Sequence, residues 1–157
     1  MPLSRRTFLG GLGSALTLSA CSHIPRFSLE SSSESGYDYI LTAAPTPIEL
    51  IPGTTTPAWC FNESFPSPTI FAKQGQEIKI LFRNRLSEPT TIHWHGLRIK
   101  NEMDGVPFLT QPPIQPGEDF LYRFTPPDAG TFWYHPHVNS LTQLGKGLVG
   151  AIVVTEA

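Results

Sequence analysis

The chain has 157 residues, room for one domain, with a formal net charge of −2 and only 15% charged residues. Such a mildly acidic balance, without clustered lysine or arginine, excludes an electrostatic footprint for nucleic acid. Proline, at 16 residues, is about twice as frequent as in an average protein, which favours short strands and turns over long helices.

Residues 1–20 differ in character from the rest of the chain. Arg5 and Arg6 precede an uncharged Gly/Ala/Leu-rich run from Phe8 to Ala20, the length of a signal-peptide apolar region and too short to span a bilayer. The paired arginines resemble a twin-arginine export signal, an address read by a receptor rather than an anchor. This predicts export to the periplasm or cell envelope. Leu18-Ser19-Ala20-Cys21 resembles a lipoprotein cleavage box, so a lipidated Cys21 is expected to attach the chain to a membrane surface. Residues 21–36, including Ser31-Ser32-Ser33-Glu34-Ser35-Gly36, are polar and lack periodicity, as a flexible tether would. With Cys21 lipidated, Cys60 has no intrachain disulfide partner.

From Tyr37 onward, short alternating runs are separated by turn residues. Ile78, Ile80 and Phe82 alternate with Lys79, Leu81 and Arg83; Phe120, Tyr122 and Phe124 alternate with Asp119, Leu121 and Arg123. Leu148 to Val154 is a largely apolar, β-branched run, and each of these segments reads as a strand with a buried face. Turn signals fall at Pro52-Gly53, Gln74-Gly75, Pro112-Pro113, Pro116-Gly117 and Pro126 to Gly130. Seven or so strands in the segment 37–157 predict an all-β, Greek-key β-sandwich in a single domain.

Four of the five histidines fall in two motifs, His93-Trp94-His95-Gly96 and His135-Pro136-His137. On a strand, positions i and i+2 share a face about 6.5–7 Å apart, so each motif presents two imidazoles side by side. Two such strands facing each other make a nitrogen-rich site suited to copper, zinc, iron or nickel. The bland alternative is a hydrogen-bonded structural pair in each strand. Pro136 cannot donate to a ladder and belongs at an edge or strand end, while Gly96 permits close backbone approach. Trp94, Phe132, Trp133 and Tyr134 read as core or wall. A cupin would need an acidic ligand soon after the first motif, and a binuclear metallo-hydrolase would need Asp-His there; Leu97, Arg98, Ile99 and Lys100 stand in those places. A three-histidine zinc site would leave one imidazole idle.

Thr91-Ile92-His93-Trp94-His95-Gly96, Met103-Asp104-Gly105-Val106-Pro107, Gly130-Thr131-Phe132-Trp133-Tyr134-His135-Pro136-His137 and the closing run Gly147 to Val154 together resemble the N-terminal cupredoxin domain of the multicopper oxidases. The resemblance covers about 100 residues, from Pro66 onward. It implies a copper cofactor, in a cluster of three ions bound by eight histidines in four His-x-His motifs between the first and last domains. Carried over position by position, His93 would bind the type 2 copper, and His95, His135 and His137 the type 3 pair that accepts O2. Asp104 would be the catalytic acid that feeds protons toward the cluster; a turn-forming Asp before Gly105 is the plain alternative.

The same resemblance shows what is lacking. Neither Cys60 nor Cys21 lies in a His-Cys-His segment, so the type 1 copper site that would take in electrons is absent; Cys60 reads as a small buried residue. A nitrite reductase fragment, whose first domain should carry that cysteine, is disfavoured. Four histidines are half of the eight required, so a truncated or split oxidase, or a domain pairing with further cupredoxin domains in cis or trans, is expected. The chain alone is expected to be inactive. Two other functions compete: a stand-alone periplasmic module that buffers or delivers copper, and a metal-free interaction scaffold, against which the four histidines speak. The reducing substrate is not readable.

Overall fold

The computed structural model describes residues 36–157. The signal-like segment 1–20, Cys21, His23 and nearly all of the expected tether lie outside the described residues.

The described chain forms β1 (Tyr39–Ile51), β2 (Thr54–Phe61), β3 (Ile70–Lys73), β4 (Ile78–Asn84), β5 (His93–His95), β6 (Asp119–Phe124), β7 (Gly130–His135), α1 (Ser140–Gly145) and β8 (Gly150–Thr155), with a 3-10 turn at Asn101–Met103. Two four-stranded sheets result, ordered β2-β1-β4-β6 and β3-β8-β7-β5. The β1/β4 and β3/β8 pairs are parallel and the others antiparallel. The expected all-β sandwich is therefore present, in two mixed sheets. The one α-helix is a single short element, below the length at which a helical period is visible in sequence.

Alternation in the strands sorts side chains as anticipated. In β6, Tyr122 and Phe124 are buried while Asp119, Leu121 and Arg123 are exposed. Leu81 departs from the pattern by being buried, because β4 lies inside its sheet with β1 on one side and β6 on the other. Between the sheets lie Leu41, Phe61, Ile70, Ile80, Phe82, Ile92, Trp94, Tyr122, Tyr134, Leu148 and Ile152, all essentially inaccessible. Cys60 is a free, fully buried thiol in β2, and burial pushes its pKa up. Gly150 is required where β8 passes Tyr134, since a Cβ there would overlap the phenol ring.

Asn84 ties the end of β4 to the loop that follows it and to the segment before β6. Its amide donates to the carbonyls of Glu88 and Ile114, both at 3.0 Å, and its Oδ1 accepts from the Leu86 amide at 3.0 Å. The side chain is fully buried. An Asn84→Leu substitution should therefore cost about 3 kcal/mol, because it leaves buried backbone groups unpaired; urea denaturation of the two chains measures the difference, and a loss under about 0.5 kcal/mol contradicts this role.

Candidate metal centre

The orientation of the histidines is set by the residues between them. Trp94 is fully buried, with its ring 5.3 Å from Tyr122, 5.0 Å from Phe124 and 5.8 Å from Tyr134. Because side chains alternate along a strand, an inward Trp94 turns His93 and His95 to the opposite face. Tyr134 plays the same part in β7: it is fully buried and its hydroxyl donates to the Pro68 carbonyl at 2.7 Å, so Trp133 and His135 face outward. The strands β5 and β7 are antiparallel neighbours in one sheet, in a register that opposes His93 to His135, Trp94 to Tyr134 and His95 to Trp133. The two motifs thus lie edge to edge on one surface. β7 ends at His135 and Pro136 falls just beyond it, which frees His137 from the sheet.

The four imidazoles converge there. Ring centroids of His93 lie 5.6 Å from His95, 5.5 Å from His135 and 5.0 Å from His137; His135 and His137 are 5.9 Å apart. Ring nitrogens of His93, His95 and His135 all fall within 4.8 Å of one another. His95 Nδ1 is 3.3 Å from His135 Nε2. Two nitrogens each about 2 Å from one ion at a tetrahedral angle would be about 3.3 Å apart, so this pair fits a shared ion. Elsewhere the second nitrogen is occupied: His135 Nδ1–H donates to the Pro136 carbonyl at 2.8 Å, and His93 Nδ1–H to the Asp104 carbonyl at 2.7 Å. Both bonds leave Nε2 carrying the lone pair, the arrangement a metal ligand needs.

Electrostatics favour the same state. Burial lowers the pKa of His135, with the neighbouring His93, His95 and His137 adding to the shift against a raising hydrogen bond to Pro136. His137 is lowered by burial first and by His93 next, with Asp104 acting the other way. Both are therefore neutral at pH 7. His135 is buried, whereas His95 and His137 are open to solvent.

Several neighbours hold this arrangement. Trp133 stacks on His135 at 4.1 Å and packs, tilted, against His95 at 4.7 Å, so its ring contacts two imidazoles at once. Trp133 thus serves as a wall of the site, as expected, and the cross-strand pairing that sets it against both imidazoles is not visible in sequence. Gly96, with φ +88, lies against the Phe132 ring. Beyond it, the Arg98 guanidinium forks onto Asp128 at 2.7 and 2.6 Å, pinning the chain after β5 to the turn before β7. Gln143 of α1 is fully buried: it accepts from Thr90 Oγ1 at 2.7 Å and donates to Glu88 Oε1 at 2.7 Å and the Pro89 carbonyl at 2.9 Å. The helix thereby clamps the entry to β5, a role with no sequence signal. Asp104 comes directly after the 3-10 turn, with its carboxylate 3.5 Å from His93 Nδ1. Cys60 lies in the other sheet, in β2, away from the imidazoles.

Comparison with known proteins identifies the family. The family model described as Multicopper oxidase matches residues 42–157. The chain is 37% identical over 167 residues to Multicopper oxidase MmcO of Mycobacterium tuberculosis, spanning 98% of this chain and 32% of that protein. It is 39% identical over 157 residues to Copper resistance protein A of Escherichia coli, spanning 96% and 26%. The crystal structure of a multi-copper oxidase from Pseudomonas thermotolerans superposes with a TM-score of 0.73 at 51% identity, over 77% of this chain and 30% of that one. The chain thus spans between 26% and 32% of the length of these relatives. With a cupredoxin sandwich, a histidine-rich face and matches over nearly all of its described residues, the chain belongs to the multicopper oxidase family.

Proposed function

We propose that His93, His95, His135 and His137 are the copper ligands this chain contributes to a three-copper, O2-reducing cluster, completed by histidines of a further cupredoxin unit in cis or trans. The observation that carries this reading is the 3.3 Å approach of His95 Nδ1 to His135 Nε2, beside imidazoles whose other nitrogens are tied to backbone carbonyls. His95 and His135 would share one type 3 ion, His137 would reach the second, and His93 would hold the type 2 ion. Copper held there would supply the one-electron steps of O2 reduction. The residues of the chain orient the imidazoles, burial favours the neutral forms of His135 and His137, and Trp133 packs against His95 and His135. The Asp104 carboxylate, partly exposed and 3.5 Å from His93 Nδ1, would exchange protons between solvent and the cluster.

The open faces of His95 and His137 also suit a second reading, a module that takes up and delivers copper without turnover. We further propose export directed by Arg5 and Arg6, with membrane attachment through Cys21. Replacing both arginines by lysine should retain the chain in the cytoplasm, and replacing Cys21 by serine should release it from the membrane fraction. Unchanged fractionation of either variant contradicts the corresponding step.

Competitive titration of the chain with Cu(II) should show binding, weak for half a ligand set in the shared-cluster reading and tight enough to survive dialysis in the delivery reading, and His93→Gln with His135→Gln should lower the affinity at least about 100-fold. The isolated chain should consume no oxygen with a phenolic donor; sustained consumption contradicts the shared-cluster reading, and failure to retain any copper on dialysis contradicts the copper-delivering module. The lowered pKa values of His135 and His137 set a pH dependence in the metal-free chain. The unfolded chain takes up these protons near pH 6.5 and the folded chain only at lower pH. Their contribution to stability is therefore complete above about pH 6.5 and is lost as pH falls through the folded values. Urea midpoints measured across that range should decline toward acid, less steeply once both residues are glutamine; identical slopes would show that burial does not perturb them.

A further inference from the structure

Two oxygens of one residue compete for the Nδ1 proton of His93. The Asp104 carbonyl lies at 2.7 Å and the Asp104 carboxylate Oδ1 at 3.5 Å. Only the first is at hydrogen-bond distance. The carbonyl reaches His93 because of the next residue. Gly105 is buried with φ +76, a left-handed conformation that favours glycine, and a Cβ there would overlap the Ile92 carbonyl oxygen and lie 2.9 Å from the His93 amide nitrogen. The peptide joining Asp104 to Gly105 therefore packs directly on the backbone at the start of β5.

Both sides of this contact are anchored. Upstream, Met103 N donates to Lys100 O at 3.0 Å and Asp104 N to Asn101 O at 3.1 Å, closing the 3-10 turn. Met103 Sδ accepts from the Arg123 amide at 3.3 Å, which fixes that turn to β6. Downstream, Thr110 Oγ1 accepts from Val106 N at 2.8 Å and donates to Val106 O at 3.0 Å. On the β5 side, Ile92 N donates to the buried Tyr122 hydroxyl at 2.8 Å.

We propose that Gly105 is a positioning residue: by lacking a side chain it lets the Asp104 backbone carbonyl, rather than the carboxylate, take the Nδ1–H of His93 and present Nε2 to the metal face. The two functions of Asp104 are then separable. Its carbonyl orients His93, and its carboxylate is left free for proton exchange. The consequence for Nε2 rests on the copper-ligand reading, whereas the hydrogen bond itself does not.

The tautomer of His93 is the direct readout. Long-range 1H–15N correlation on the metal-free full chain, with histidine labelled and the His93 signals assigned by a His93→Gln spectrum, should be recorded near about pH 8, where imidazoles are neutral. The Nδ1–H form should dominate in the wild type and persist in Asp104→Ala, which keeps the carbonyl and removes the carboxylate. Gly105→Ala should convert His93 to a tautomer mixture, weaken Cu(II) binding about 10- to 100-fold and alter the electron paramagnetic resonance signal of the bound ion. Loss of the Nδ1–H form in Asp104→Ala overturns the proposal, as does a folded Gly105→Ala chain with wild-type tautomer and affinity. If Gly105→Ala does not fold, the Asp104→Ala spectrum decides alone. Failure of the wild type to bind copper would count against the copper reading while leaving the tautomer result intact.

Discussion

Everything at the metal face depends on two aromatic side chains that point away from it. Trp94 and Tyr134 are cross-strand partners on the inner face of β5 and β7, both fully buried. A slip of one residue in either strand would bring an imidazole into the apolar core and expose an aromatic ring. Burying a large aromatic side chain is worth about 2–3 kcal/mol, and a core position has no partner for a second polar nitrogen, so the register is strongly fixed. The histidines are thus aimed by the hydrophobic effect acting on their neighbours. No interaction between the imidazoles themselves is needed to bring them together, and at close range unliganded rings gain little from one another.

Around this pairing the structure adds constraints from well-separated parts of the chain. Gln143 ties the entry of β5 to α1, the Arg98–Asp128 fork ties its exit to the turn before β7, and Trp133 lies under His95 and His135. Backbone carbonyls of Asp104 and Pro136 set which nitrogen of His93 and His135 is free. Such an outer layer raises metal affinity by removing the cost of orienting ligands on binding. What these residues cannot supply is closure. Two of the four imidazoles remain open to solvent, as the proposed sharing of the site with a further cupredoxin unit requires.

Much of this was legible in the sequence, and the limits have physical causes. The alternation in Ile78–Asn84 and Asp119–Phe124 identified strands because one face of each meets the core. The histidine motifs were legible as same-face pairs because a strand has a period of two. Which strands pair is a long-range property, so the edge-to-edge placement of β5 and β7, and with it the stacking of Trp133, could not be read. Strand β1 was hidden by Pro45 and Pro47, residues that argue against a central strand. They are tolerated because β4 pairs with β1 only over Tyr39–Ala43, leaving one side of β1 without a neighbour at the prolines. Asp104 reads in the sequence both as an acid and as a turn residue. The structure places it in a turn and puts its carbonyl on His93, a backbone contact that side-chain motifs do not encode.

The central claim is that the four imidazoles are ligands to copper rather than a structural cluster. Diffraction from copper-soaked crystals of the chain, recorded on both sides of the copper absorption edge, tests it most directly. Anomalous density is predicted about 2 Å from both His95 Nδ1 and His135 Nε2, with further copper near His93 Nε2. Copper density confined to other surfaces, with His95 and His135 joined by a direct hydrogen bond at the unchanged face, would contradict it.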